Sequence, residues 1–333
     1  YRISRDGIDW EVPNPDDPWS NIGYWGDHQI VYLGRLLEAT RRYLPGDLER
    51  HLGRAWFSYA DVPYRIASYE ETVSDPKSTV HFDEAAAMRS SERVEALGED
   101  GRLLWGPDGQ VVLVTLLEKL LVPALSKLSN YLPGGGIWMN TQRPEWNDAN
   151  NALVGHGVSM VTLYQLRSYL RLLTRIIEDS RLADADLSVE VAHWLDTIVG
   201  ILRANEAVVG DELTGEQRKA VMDELGRAFS SYRMRLDRPA HVSQVSVPTR
   251  RIVEFCKIAG NHLDASIRLN RRPDGLYHSY NLVEFDSDGS AAHLGHLYEM
   301  LEGQVAVLSS GFLTAEEKVG VIEALFSSAM FRP

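Results

Sequence analysis

Arg250-Arg-Ile-Val-Glu-Phe-Cys-Lys-Ile-Ala-Gly-Asn-His-Leu-Asp-Ala-Ser-Ile-Arg-Leu269 places apolar side chains three and four positions apart along its whole length. That spacing gathers them on one stripe of an α-helix, so the segment is expected to be amphipathic and helical. The same periodicity recurs in Val189–Ala204, Glu216–Arg233, His293–Leu308 and Ala315–Phe326. Upstream it appears in Val111–Leu128 and from about Asp148 through Ile177. It also runs from about Asp27 to Tyr43, where Ile30, Val31, Leu33, Leu36 and Leu37 carry the stripe and Pro45-Gly46 ends it. Thr214 with Gln217, and Thr314 with Glu317, match the capping box, in which a hydroxyl and a later side chain satisfy orphan amides at a helix start. Alternation of the strand kind is confined to short pieces such as Gly136–Asn140. The expected fold class is therefore all-α. No internal period is visible, which favours a closed ring of helical hairpins, complete or incomplete, over a solenoid. One domain is expected over residues 1–333. Residues 58–109, with their polar clusters and Asp-Pro and Gly-Pro dipeptides, are expected as an insertion or lid over a pocket.

Composition narrows the function. With 44% hydrophobic and 24% charged residues among 333, the chain can bury one large core. A formal net charge of −13, with no long basic run, argues against nucleic acid. No apolar run is long enough to cross a bilayer. The single cysteine, Cys256, lies in an apolar helical stretch and is expected to fill the core. Nothing demands an oxidising compartment, so the cytoplasm is the default. A chain that opens on Tyr1 and stops at Pro333 suggests a piece of a longer polypeptide or a processed form, from which an export signal would be missing.

The chemistry concentrates in Gly134-Gly-Gly-Ile-Trp-Met-Asn-Thr-Gln-Arg-Pro-Glu-Trp-Asn-Asp-Ala-Asn-Asn-Ala-Leu-Val-Gly155. Indole faces stack on pyranose rings, amides and carboxylates bind hydroxyls, and an acid that protonates a glycosidic oxygen needs a partly desolvated carboxyl. Trp146 beside Asp148 offers both. The plainer alternative is that Asn147 or Asp148 caps the helix that follows. Arg143, Glu145, Trp146, Asn147 and Asn151 are the neighbouring candidates for substrate binding.

This segment resembles a family, the inverting helical-toroid phosphorylases acting on cellobiose or chitobiose and the related helical-toroid glycosidases. There an Asp-Trp-Asn-Asp segment supplies the general acid from its last residue; here Glu145-Trp146-Asn147-Asp148 differs at the first position. A second segment, Gly23-Tyr24-Trp25-Gly26-Asp27-His28-Gln29, is similar to the family's Gly-Phe-Arg-Asp-Gln element, with Gly26 in place of the Arg. The resemblance implies an (α/α)6 toroid, Asp148 as acid, and Trp25, Asp27, His28 and Gln29 at the sugar.

Inverting hydrolysis needs a second carboxylate, roughly 6.5–9.5 Å from the acid, to activate water. Glu302 is the candidate base and Glu299 the reserve, set against their reading as a solvated helix face. Tyr277, His278 and Tyr280 are candidate pocket walls. Phosphorolysis would instead need cations for phosphate, for which Arg143 and Arg271-Arg272 are available, but no phosphate-binding signature is present and hydrolysis is placed first. His293, His296 and Glu299 do not converge on a helix, and no nucleotide fingerprint occurs, so neither metal nor cofactor is expected. The partner is an oligosaccharide or glycoside, with neither nucleic acid nor membrane expected. A non-catalytic glycan-binding or scaffold domain is the reading from another class.

Overall fold

The computed structural model describes residues 3–10, 16, 24–25, 30–140, 152–206, 213–236 and 243–332. The chain opens with β1 (Asp9–Trp10) and β2 (Tyr24–Trp25), then α1 (Val31–Tyr43), α2 (Asp47–His51), β3 (Ala55–Phe57) and β4 (Tyr64–Ile66). There follow α3 (Tyr69–Ser74), β5 (Val80–Phe82), α4 (Glu84–Leu97), β6 (Val114–Thr115) and α5 (Leu116–Leu128). The middle of the chain supplies β7 (Tyr131–Leu132), β8 (Gly136–Trp138), β9 (Gly157–Ser159), α6 (Met160–Ser180), β10 (Asp184–Ser188) and α7 (Val189–Ala204). The last third contains α8 (Gly215–Leu236), β11 (Gln244–Pro248), α9 (Thr249–Leu269), β12 (Tyr280–Phe285), β13 (Ala292–His296), α10 (Leu301–Ser309) and α11 (Ala315–Ser327).

The all-α expectation is corrected. The protein is mixed α/β, 56% helix and 17% strand, with a curled five-stranded antiparallel sheet. Its strand order is β13-β12-β9-β8-β7. The strand-like piece Gly136–Asn140 holds β8, and the rest of the sheet is faint in the sequence for a physical reason: β9, like β8, is three residues long and buried on both faces, so neither face is polar. His293–Leu308, expected as one helix, divides into β13 and α10, and the stretch expected as helix from about Asp148 through Ile177 contains β9, after which α6 begins at Met160, capped by the Ser159 hydroxyl accepting from the Thr162 amide at 3.0 Å. Residues 58–109 carry the β4–β5 hairpin, α3 and α4, with Tyr59 and Tyr69 buried.

α5 and α6 are the centre of the core. Every residue of α5 is buried, and α6 packs on α1, α5, α9 and α10. Cys256 is buried on α9. Between α7 and α8, Trp194 stacks on Phe229 at 5.0 Å and on Tyr232 at 4.1 Å. Aromatic pairs of this kind contribute about 0.5–1.5 kcal/mol beyond area burial. The capping boxes at Thr314/Glu317 and Thr214/Gln217 are both formed. Among the described residues no helix is long and apolar enough to cross a membrane.

Candidate functional site

The helix α5 is enclosed on all sides, yet it carries Glu118, Lys119 and Lys127. Charges removed from water need partners, and these side chains organise the polar interior around them. The Thr115 hydroxyl caps the helix by accepting from the Glu118 amide at 3.2 Å. One Glu118 oxygen accepts from the Tyr59 hydroxyl at 3.0 Å and the Ser188 hydroxyl at 2.7 Å, and the other accepts from the Ser188 amide at 2.6 Å. Burial raises the Glu118 pKa, while the bonds from Ser188 and Tyr59 and the charge of Arg5 oppose the shift.

One helix position on, the Lys119 ammonium donates to the Ser58 carbonyl and lies 5.8 Å from the centre of the Tyr59 ring. Burial pulls its pKa down to about 8, against the opposing charge of Asp9. Ser126 and Lys127 lie seven and eight residues further along, which returns them to the Lys119 side of the helix about 12 Å away. Residues 3–9 run beside this face. Gly7, at φ +89°, backs onto Ser126 so closely that a Cβ there would meet its hydroxyl oxygen at 2.7 Å. At the helix end, the Asn130 amide donates to the Ser126 carbonyl at 3.0 Å and its carbonyl oxygen accepts from Asn140 at 2.7 Å.

Both motif segments are anchored here. Asp9 of β1 acts on Lys119 and pairs with Trp25 of β2, at the middle of the 23–29 segment. Asn140, bonded to Asn130, is the last described residue before 141–151. The base of that segment is closed by the Gly155 amide donating to the Met139 carbonyl at 2.6 Å and by the Trp138 indole donating to the Gly155 carbonyl at 3.0 Å. Asp27, His28, Gln29, Arg143, Glu145, Trp146, Asn147, Asp148 and Asn151 lie outside the described residues, and of Trp25 only the backbone is described.

The remaining candidates assemble at the other end of the sheet. β12 runs antiparallel to β9 with Tyr280 opposite Ser159, so the Tyr280 end adjoins the start of α6 and the 140–152 base lies at the opposite end. His278 stacks on His296 at 4.1 Å. Burial, then the charges of His296 and Arg272, lower the His278 pKa to about 4. His296 bonds Asn281 at 2.8 Å, and Asn281 donates to the Gly135 carbonyl and to Asn270, both at 2.7 Å. The Tyr277 backbone is held at both polar groups by the Gln304 amide, at 2.9 and 2.7 Å. Arg272 pairs with Asp274 at 2.7 Å and with Glu299 at 3.3 Å. Glu299 and Glu302 share an open groove of about 620 Å³ with Tyr298, Phe326 and Phe331, and a buried oxygen of Glu302 accepts from no described donor.

The structure thus brings Tyr277, His278, Tyr280, Glu299 and Glu302 together at the Tyr280 end of the sheet. Among the described residues no group of three His, Cys, Asp or Glu side chains could hold a metal ion. His293, read as helical, sits on β13 and pairs with Asp286 at 3.0 Å. Lys119, Lys127 and Glu118 escaped sequence reading; their signal is three charges inside the apolar run Leu116-Leu-Glu-Lys-Leu-Leu-Val-Pro-Ala-Leu-Ser-Lys-Leu128. Compared with known proteins, the sequence matches no family model and no curated protein.

Proposed function

We propose that this chain cleaves a glycosidic bond with inversion at the anomeric carbon, with Asp148 as general acid and an oligosaccharide or glycoside as substrate. One observation carries the reading. The described residues at the two segments whose residues suit sugar recognition, Tyr24 and Trp25 within Gly23–Gln29 and Asn140 ahead of Arg143–Asn151, both lead back to α5, through Asp9, whose charge acts on Lys119, and through Asn130, which donates to the Ser126 carbonyl. A buried helix is a rigid floor, and catalytic groups mounted on rigid elements keep productive geometry better than free loops do. Its low-dielectric surroundings also suit a carboxyl that must hold its proton near neutral pH.

The hydrolytic form assigns water activation to Glu302, with Glu299 in reserve. A second reading is phosphorolysis, in which inorganic phosphate is itself the nucleophile and no second carboxylate is required. The buried amine Lys127, next to Ser126 and near Asn130 at the end of α5, supplies with them the basic, hydroxyl and amide groups that an oxyanion needs.

Incubation with α- and β-linked oligosaccharides, with and without inorganic phosphate, tests both forms. Product of inverted configuration without phosphate supports hydrolysis, and strict dependence on phosphate with a sugar 1-phosphate product supports phosphorolysis. Products that retain configuration, or no cleavage of any member, contradict the proposal.

A further inference from the structure

We infer that the groove between α6 and α9 is a seat for a small molecule carrying two linked phosphoryl groups, separate from the α5 face. The groove holds about 390 Å³. It is built by an arginine ladder: Arg167, Arg171 and Arg175 recur every four residues on α6, so their side chains rise along one face at about 6 Å intervals. The helices run antiparallel here, because Arg167 grips Asp264 through two nitrogens at one end, and Thr174 bonds Cys256 towards the other. That pairing sets Gly260 across from Arg171 and Lys257 across from Arg175. A Cβ on Gly260 would meet nothing within 4 Å, so the middle of the groove is open.

Of the four cations of the lining, Arg167 alone is ion-paired among the described residues. Arg167 is committed to Asp264 and to the Ser310 carbonyl at 3.0 Å, and Arg171 donates to the Gly311 carbonyl. Arg175 and Lys257 are exposed and form neither ion pair nor hydrogen bond among the described residues. The remaining carboxylate of the lining is Glu178. Like charges four residues apart on a helix repel. After burial, crowding by Arg167 and Arg175 is the next cause that lowers the Arg171 pKa. On a chain of net charge −13, three cations facing one hollow with one carboxylate to offset them are arranged for an anion. Guanidinium forks match phosphoryl oxygens two at a time, and the groove is larger than one phosphate fills. A diphosphate spans the rise between Arg171 and Arg175 and leaves its far oxygens to Lys257.

Titration calorimetry of the whole chain with inorganic pyrophosphate, orthophosphate and sulfate in a chloride buffer tests this. Pyrophosphate is expected to bind saturably in the sub-millimolar range, more tightly than either single oxyanion. Arg175→Gln with Lys257→Gln, both exposed and free of structural bonds, should weaken it about tenfold or more. Gly260→Glu, which puts a carboxylate into the open middle, should weaken it independently, and unchanged thermal unfolding of these variants shows that they fold. No saturable binding at millimolar pyrophosphate, equal binding of pyrophosphate and sulfate, or wild-type affinity in the double variant would overturn the inference. None of these outcomes depends on glycosidic activity at the α5 face.

Discussion

The Tyr59 hydroxyl donates to the Glu118 carboxylate at 3.0 Å, and both residues are fully buried. A tyrosine from the stretch expected as an insertion or lid thus holds a buried charge of α5. Tyr59→Phe preserves the ring and removes one donor to a buried charge. Loss of a bond of this kind costs about 1–3 kcal/mol. Chemical denaturation should show that loss with an unchanged denaturant slope, and a variant as stable as the wild type would show that the bond contributes nothing.

The stacked His278 and His296 make stability depend on pH. The folded-state pKa of His278 is about 4, below its ordinary value of 6.5. Between these values the unfolded chain takes up a proton that the folded chain refuses. The contribution is therefore intact above about pH 6.5 and is lost as the pH falls toward about 4. The fall in melting temperature across this window should be shallower in His278→Asn than in the wild type. Parallel profiles for the two proteins would contradict the assignment.

Gly200 lies within α7 on an exposed face, and a Cβ there would meet nothing within 4 Å. Glycine in a helix interior costs about 0.5–1 kcal/mol relative to alanine because of the freedom it loses on folding. Gly200→Ala should accordingly raise the melting temperature by about 2 °C. An unchanged or lowered value would mean that the position is constrained by something other than its own backbone.

The helices were legible where tertiary burial and local periodicity agree. Arg250–Leu269 forms α9 almost to the residue, and Thr314 with Glu317 forms its capping box. Of the sheet, the alternation of Gly136–Asn140 marked β8, but Gly157–Ser159 is too short and too completely buried to show any. In His293–Leu308 the apolar positions also satisfy helical spacing, and pairing with β12 decides in favour of a strand for its first part. Site reading met a similar limit. Glu299 and Glu302 stood out as acids in an apolar setting and do line one groove, but the pairing of β12 with β9, which joins that end of the sheet to the start of α6, cannot be read from spacing. Lys119 drew no reading, because only the packing of β3, β6, β10, α6 and α7 around α5 removes that side of the helix from water.

The central claim is that the Asp148 carboxyl gives its proton to a departing sugar oxygen. Steady-state turnover of Asp148→Asn against the wild type, on an oligosaccharide whose leaving group needs protonation, tests it most directly. Positioned acid catalysis contributes about 10²–10⁴-fold, so kcat should fall by that factor while the variant remains folded. Turnover within a few-fold of the wild type would contradict the account.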